Sequence, residues 1–435
     1  MATTTPSPRP APRAPARPIA PPPRTTYRSV FAAGEFRVLF AALLMFVLGF
    51  EFEILGLSVL VFGQTRSAFW TAFAFSMGFV PQAIGGALFT SLADRLPPRA
   101  VMGAGLLTRS APGLLIGLWP RLPIPVMLAL VAVAATTAPV FTAAASGLLP
   151  DVLDGDRYVL GRSVFSLTGA GTQMIGLGIG GAILAVWPAR WLLLAAGLSL
   201  AMAAGIVRTG LRPRAARRAG RGRPRGIVRA TVTGNVELLA DRAVRGLLLA
   251  QWLPVWFVTG AESLIVPYAG SLGRPAGAAS PLLAAVPAGM LLGDVIVGRY
   301  CRPRTRQRLS FPLAAVMGVP LLAFACRPPL PLAAVALVAC GFGFGYGLGL
   351  QQAFLDSLPS RLRGQAFGLN STGAMAGQGL FPPATGGLAA AFGAGVAMAL
   401  AGAATILAAL ALRVPLTGST ETHSDRSDSL SEQRP

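Results

Sequence analysis

Residues 38–62 read VLFAALLMFVLGFEFEILGLSVLVF, and Glu51 and Glu53 are the only charges in the run. About 20 apolar residues in a helix cross the roughly 30 Å of hydrocarbon in a bilayer, so this stretch reads as a membrane-spanning helix. It carries two carboxyls near its middle. An ionisable group in hydrocarbon costs a few kcal/mol or more, and such groups tend to line a cavity or pathway. The two glutamates therefore call for a purpose beyond anchoring the chain.

Outward from this run, the pattern repeats. The 435 residues are 53% hydrophobic and only 12% charged, against about 25% charged in soluble proteins. Twelve apolar runs are predicted as spans, at 37–63, 69–92, 100–119, 122–149, 163–187, 190–208, 244–270, 278–298, 309–326, 329–355, 364–388 and 391–413. The expected fold is an all-α polytopic membrane protein of twelve transmembrane helices in two six-helix halves, 37–208 and 244–413. A basic linker, 209–243, containing RPRAARRAGRGRPRG, separates them. The Pro/Arg-rich tail 1–36 and the polar tail 414–435 have little to bury and are expected to be disordered. No secretory signal precedes the first run, which is itself too long for a signal core.

The formal charge of +21 reads as topology. All 37 basic residues are Arg, and with both termini inside, 31 fall in tails and loops of the cytoplasmic side. The other side receives five, Arg66, Arg121, Arg190, Arg274 and Arg327. Positive loops stay cytoplasmic, so both termini are expected there. Polybasic segments can also meet anionic lipid. No folded, aromatic-interleaved basic region remains to grip nucleic acid. Cys301, Cys326 and Cys340 form no CxxC pair or disulfide framework. The single histidine, His423, lies in the polar tail, which leaves no Ser-His-Asp triad and no His-ligated metal. With no phosphate-binding loop either, the chain is read as no enzyme, with no cofactor and no metal site.

An internal repeat supports the two halves. Pro81 in VPQAIGGAL and Pro287 in VPAGMLLGD lie 206 residues apart. Gly180-Gly181 and Gly386-Gly387 share that offset, as do Arg157 and Arg363. Parallel six-helix repeats are an arrangement found among transporters.

The stretch TSLADRLPPR, 90–99, is similar to the signature of the major facilitator superfamily, Gly-x-x-x-Asp-Arg-x-Gly-Arg-Arg, between spans two and three. Asp94, Arg95 and Arg99 match it, while Thr90, Pro97 and Pro98 depart from it. The resemblance implies a cytoplasmic gate cluster on these residues. The repeat adds Asp294 and Arg299 as a gate or structural pair. GLGIGG, with Gly176, Gly180 and Gly181, resembles the Gly-Pro-x-x-Gly-Gly signature of family antiporters, with Leu177 in place of Pro. PPATGG keeps Pro383, Gly386 and Gly387 but has no leading Gly. Small residues let helices approach closely, so these positions read as packing as well as antiporter motif. The loops LLPDVLDGDRYVLGRS and LPSRLRGQAFGL most resemble the macrolide-efflux-like exporters of the superfamily. The resemblance spans about 38–413 and implies a monomeric, multi-pass transporter of the bacterial plasma membrane.

Glu51, Glu53 and Glu262 are the proton-coupling candidates. Glu51 and Glu53 lie about 200° apart on a helix, so one faces a central cavity and the other a packing partner. A stripe shared with Gly49 and Gly56 points to Glu53 as the cavity-facing member, with Glu51 as the alternative. Desolvation disfavours a charged carboxylate, which lets an embedded acid take a proton on one side and yield it on the other. Arg109 is the one embedded base, placed either against an acid or at the interface. Further cavity candidates, each equally readable as helix packing, are Gln173, Trp252, Trp256, Gln351, Gln352, Asn370 and Gln378. The leading expectation is proton-coupled efflux of small amphipathic compounds. A metabolite importer or facilitator, or a non-transporting receptor or assembly protein, are the alternatives.

Overall fold

The computed structural model describes residues 26–86, 96–119, 121–154, 156–215, 224–359 and 362–413. They are helical throughout, without a strand. Of the tails expected at 1–36 and 414–435, only 26–36 fall among the described residues, with a five-residue helix at Tyr27–Phe31.

The first half contains α1 (Gly34–Thr65), α2 (Ala68–Ser76, helical again over 79–86), α3 (Pro98–Leu118), α4 (Ile124–Ala135), α5 (Ala138–Val152), α6 (Asp156–Val186) and α7 (Ala189–Gly210). Helix α8 (Pro224–Ala240) lies within the basic linker. The second half contains α9 (Arg242–Glu262), α10 (Ile265–Ser271), α11 (Ala279–Tyr300), α12 (Pro303–Leu322), α13 (Leu330–Phe342), α14 (Tyr346–Ser357), α15 (Arg363–Phe392) and α16 (Ala394–Ala411).

Among the described residues, nine stretches are long and apolar enough to cross a membrane. Some are two helices in line, such as α4–α5 and α9–α10. The other three expected spans coincide with α2, α6 and α15. The second runs into the undescribed segment 87–95, and α6 and α15, at 31 and 30 residues, are long but richer in Gly, Ser, Thr and Gln.

The breaks have local causes. Proline offers no backbone N–H, so the carbonyl four residues earlier loses its helical partner. Pro139 follows the turn between α4 and α5, and Pro267 follows the turn after Glu262.

Close helix contact within each half rests on glycine. A β-carbon on Gly113 of α3 would stand 2.7 Å from the backbone nitrogen of Gly197 on α7. Gly318 of α12 and Gly402 of α16, each displaced by 205 positions, meet in the same way: a β-carbon on Gly402 would stand 2.6 Å from the Gly318 carbonyl oxygen. The repeat seen in the sequence is therefore also a repeat of contacts. Without a soluble-type hydrophobic drive in lipid, such close backbone approach is what binds helices.

The halves meet through α6 against α11, α2 against α15, and α1 against α10. Gly277, just before α11, lies 3.0 Å by its would-be β-carbon from the Ala185 nitrogen. Gly386 of α15 lies 2.9 Å from the Cα of Phe69, and Gly270 of α10 faces the Phe62 ring. Phe62, Ala185 and Gly386 all sit towards the C-terminal ends of their helices. These contacts between the halves thus gather at the face opposite the starts of α1, α6 and α15.

Candidate functional site

A cavity of about 360 Å³ lies between the halves. Its first wall is one face of α1, with Val47, Phe50, Glu51 and Ile54 at helical spacing. Phe75 and Phe79 add aromatic surface, and Gln173 and Leu177 come from α6. The second half supplies Thr259 and Glu262 from α9, Leu283 and Pro287 from α11, and Gln378 from α15. The cavity is thus mainly apolar and aromatic, with two carboxyls, two amides and a hydroxyl. That is a composition suited to a small organic ligand, where a few polar groups fix orientation.

The two α1 glutamates diverge, as their spacing requires, but in the opposite sense to the sequence preference. Glu51 lines the cavity, and Gln173 is placed to donate to its carboxyl. Glu53 turns away and pairs with Arg109 of α3, Oε1 to Nη2, at 3.2 Å. The cause is the stripe itself. Gly49 and Gly56 pack on Leu200 and Leu193 of α7, so the face they share with Glu53 is turned towards α7 and α3. Arg109 is likewise absent from the cavity wall. It is 1% exposed, and its guanidinium carbon lies 5.5 Å from the centre of the Phe50 ring. Phe50 therefore separates the ion pair from the cavity.

Glu262 lies at the last residue of α9, where the helix breaks. That break places it beside the cavity. Across the cavity from it stands Glu51, so each half contributes one carboxyl.

The other candidates divide. Gln173 and Gln378 line the cavity. Trp252 and Trp256 stack at 5.8 Å and donate to the carbonyls of Asn370 and Gly373 on α15, at 2.9 and 3.1 Å. Asn370 in turn donates from Nδ2 to Gln251, at 3.1 Å. These groups hold α9 to α15. Gln351 and Gln352 are exposed, and Gln352 donates to Asp356 at 2.9 Å.

Among the motif glycines, Gly176 and Gly180 face Glu51, Leu55 and Phe52 of α1, while Gly181 meets Ser280 of the other half. Gly386 meets α2, Gly387 has open space, and Pro383 lies inside α15. Of the gate motif, Asp94 and Arg95 lie outside the described residues, and Arg99 is half-buried in the first turn of α3. Asp294 and Arg299 are both exposed, and no ion pair joins them among the described residues. The basic turn has a different structural residue. Arg306 donates from Nε to the carbonyls of Val297, at 3.2 Å, and Cys301, at 2.9 Å, and from Nη2 to that of Gly298. It caps the end of α11, where unpaired carbonyls await a cation.

Sequence reasoning missed Thr259 and the phenylalanines of the wall. The signal was present: Thr259 lies three residues before Glu262, and Phe50 and Ile54 lie on the face of Glu51.

No curated protein matches the sequence. Among solved structures, a POT family transporter in complex with a thioalcohol-conjugated peptide superposes with a TM-score of 0.68 at 11% identity, covering 87% of this chain and 95% of that one. A bacterial homologue of the human lysosomal transporter Spinster, inward-facing and unoccupied, gives a TM-score of 0.65 at 16% identity over 87% and 95% of the two chains. At such identities the likeness concerns fold alone. Family membership comes from the sequence itself: residues 30–373 match the model of the Major Facilitator Superfamily, and the chain belongs to that family of secondary membrane transporters.

Proposed function

We propose that this protein is a proton-coupled exporter of small amphipathic compounds, drugs or natural products, working by alternating access as a monomer in a bacterial plasma membrane. The observation that carries the reading is the pairing of Glu51 and Glu262, one from each half, in a single largely apolar cavity. Two carboxylates in one cavity repel when both are ionised. A cationic amphipathic guest relieves that repulsion by contact, and a proton relieves it by neutralising one acid. Guest and proton then compete, and binding of either weakens the other by the same factor. A proton entering from the acidic outer side displaces the guest there, and its release to the cytoplasm restores the binding form. Couplings of this kind are worth about 1–3 kcal/mol, or roughly 5–150-fold in affinity.

Import of a metabolite is the rival. The described cavity wall carries no basic side chain, since Arg109 is committed to Glu53, and this disfavours sugar phosphates and organic anions as cargo. The test is accumulation of ethidium and of a neutral fluorescent dye in an efflux-deficient bacterial host. Wild type should lower accumulation, and an uncoupler should restore it. Glu51→Gln or Glu262→Gln should restore it without uncoupler. Export that survives both substitutions and stays uncoupler-sensitive would overturn the site. A transporter that raises accumulation would overturn the direction.

A further inference from the structure

A second cavity, of about 310 Å³, opens along the seam between the halves at the face opposite the linker. Phe62, Gly63 and Arg66 line it from the end of α1, and Gly270, Arg274 and Pro275 from the end of α10. We propose that this cavity is an anion-binding site in which Arg66 and Arg274 together hold one carboxylate or phosphate group.

Its position follows from α1, which is 32 residues long. The start of α1 is tied to the linker through Glu35, whose carboxylate accepts from Arg214 at 2.7 and 2.6 Å and from the Arg212 N–H at 2.9 Å. Arg66 lies at the other end, a helix length of roughly 48 Å away at 1.5 Å per residue.

The backbone of each arginine is fixed by its turn. Arg66 ends α1 in the left-handed conformation, at φ 53, with its N–H bonded to the Phe62 carbonyl at 2.8 Å. Its guanidinium carbon stands 5.9 Å from the Phe62 ring centre. Arg274 closes the turn after α10, with its N–H bonded to the Ala269 carbonyl at 3.1 Å. The two lie 208 positions apart, within a few residues of the repeat offset, so each half contributes one arginine to the cavity.

What this pair lacks is a counter-charge. No acidic residue lines the cavity. Neither arginine makes an ion pair among the described residues. None of the 16 acidic residues falls in the connecting segments 63–68, 119–123, 187–190, 271–278 and 327–329. Arginine is scarce in these segments as well, at five of 37, and two of those five converge here. Both arginines are exposed at the rim of this cavity, and a group accepting hydrogen bonds from both guanidinium groups offsets their mutual repulsion. Because the site needs both halves in contact, its ligand stabilises the closed seam. A phospholipid headgroup and a free anion share this chemistry.

The full-length protein in phosphatidylcholine nanodiscs, titrated with inorganic phosphate at constant ionic strength, supplies the test. Phosphate should raise Tm saturably by a few degrees. The rise should vanish in Arg66→Gln and Arg274→Gln and persist in Arg121→Gln, which lies on the same face outside the cavity. Arg66→Lys, which keeps the charge and the fold, should move the midpoint about tenfold to higher phosphate. A second arm without phosphate replaces part of the lipid with phosphatidylglycerol. Stabilisation in this arm alone, lost in the same Gln variants, assigns the site to a headgroup and supports the proposal. Stabilisation that is absent from wild type in both arms, or equal in wild type and both Gln variants, overturns it.

Discussion

A charge pair sealed among helices is costly to break from one side only. Glu53 and Arg109 are 3% and 1% exposed, and Glu53 Oε2 and Arg109 Nε and Nη1 have no partner among the described residues. Removing one member leaves the other charge buried, a loss of about 3–5 kcal/mol in comparable cases, whereas replacing both by apolar groups is often neutral. Glu53→Ala and Arg109→Ala should each lower the thermal unfolding temperature sharply, and Glu53→Leu with Arg109→Met should recover most of it. Fluorescence-detected unfolding of the purified variants measures this, and additive losses in the double variant would contradict a paired role. Glu51→Gln, by contrast, should leave the unfolding temperature nearly unchanged. The 200° divergence of the two acids was legible from their spacing. Which of them faced the cavity was not, because Gly49 and Gly56 mark close packing on α7 as readily as they mark a polar lumen. The embedded Arg109 was visible two helices away, but one sequence does not say which acid it meets.

At the scale of elements, glycine decides which helices touch. Gly181 of α6 faces Ser280 of α11, whose hydroxyl donates to the Leu177 carbonyl. A leucine at this position has no room while the seam is closed, so Gly181→Leu should shift the population towards a seam opened on that side. With an Ala185→Cys reporter beside Gly277 and the native cysteines replaced, a membrane-impermeant maleimide should label the Gly181→Leu variant at least several-fold faster. Equal rates would mean that the contact does not gate access. Hydropathy located α1, α3 and α7 well. The apolar runs at 163–187 and 364–388 marked α6 and α15 less sharply, since their faces are spent on Gly, Ser and Gln. Pro254 and Pro267 flank Glu262 alike in the sequence, and only the fold shows that Pro254 stays inside α9 while the break precedes Pro267. The capping of α11 by Arg306 was not, because the sequence shows five arginines in that turn and only the fold selects one.

For the whole molecule, the repeat at about 206 residues was the most informative reading, and the Gly113–Gly197 and Gly318–Gly402 contacts give it a physical meaning. The uneven placement of arginine yields a prediction at the same scale. Alkaline phosphatase, active only outside the cytoplasm, should be inactive when fused after Arg413 and active when fused after Gly273. The reverse result would invert the topology. The central claim, that Glu51 and Glu262 make one cavity in which proton and guest exclude each other, is tested most directly by equilibrium binding of tetraphenylphosphonium to purified protein between pH 5.5 and 8.5. Affinity in wild type should fall as pH falls, because protonation of the cavity acids competes with the cation, and Glu51→Gln should bind with an affinity that hardly changes over that range. A pH dependence identical in wild type, Glu51→Gln and Glu262→Gln would contradict the account.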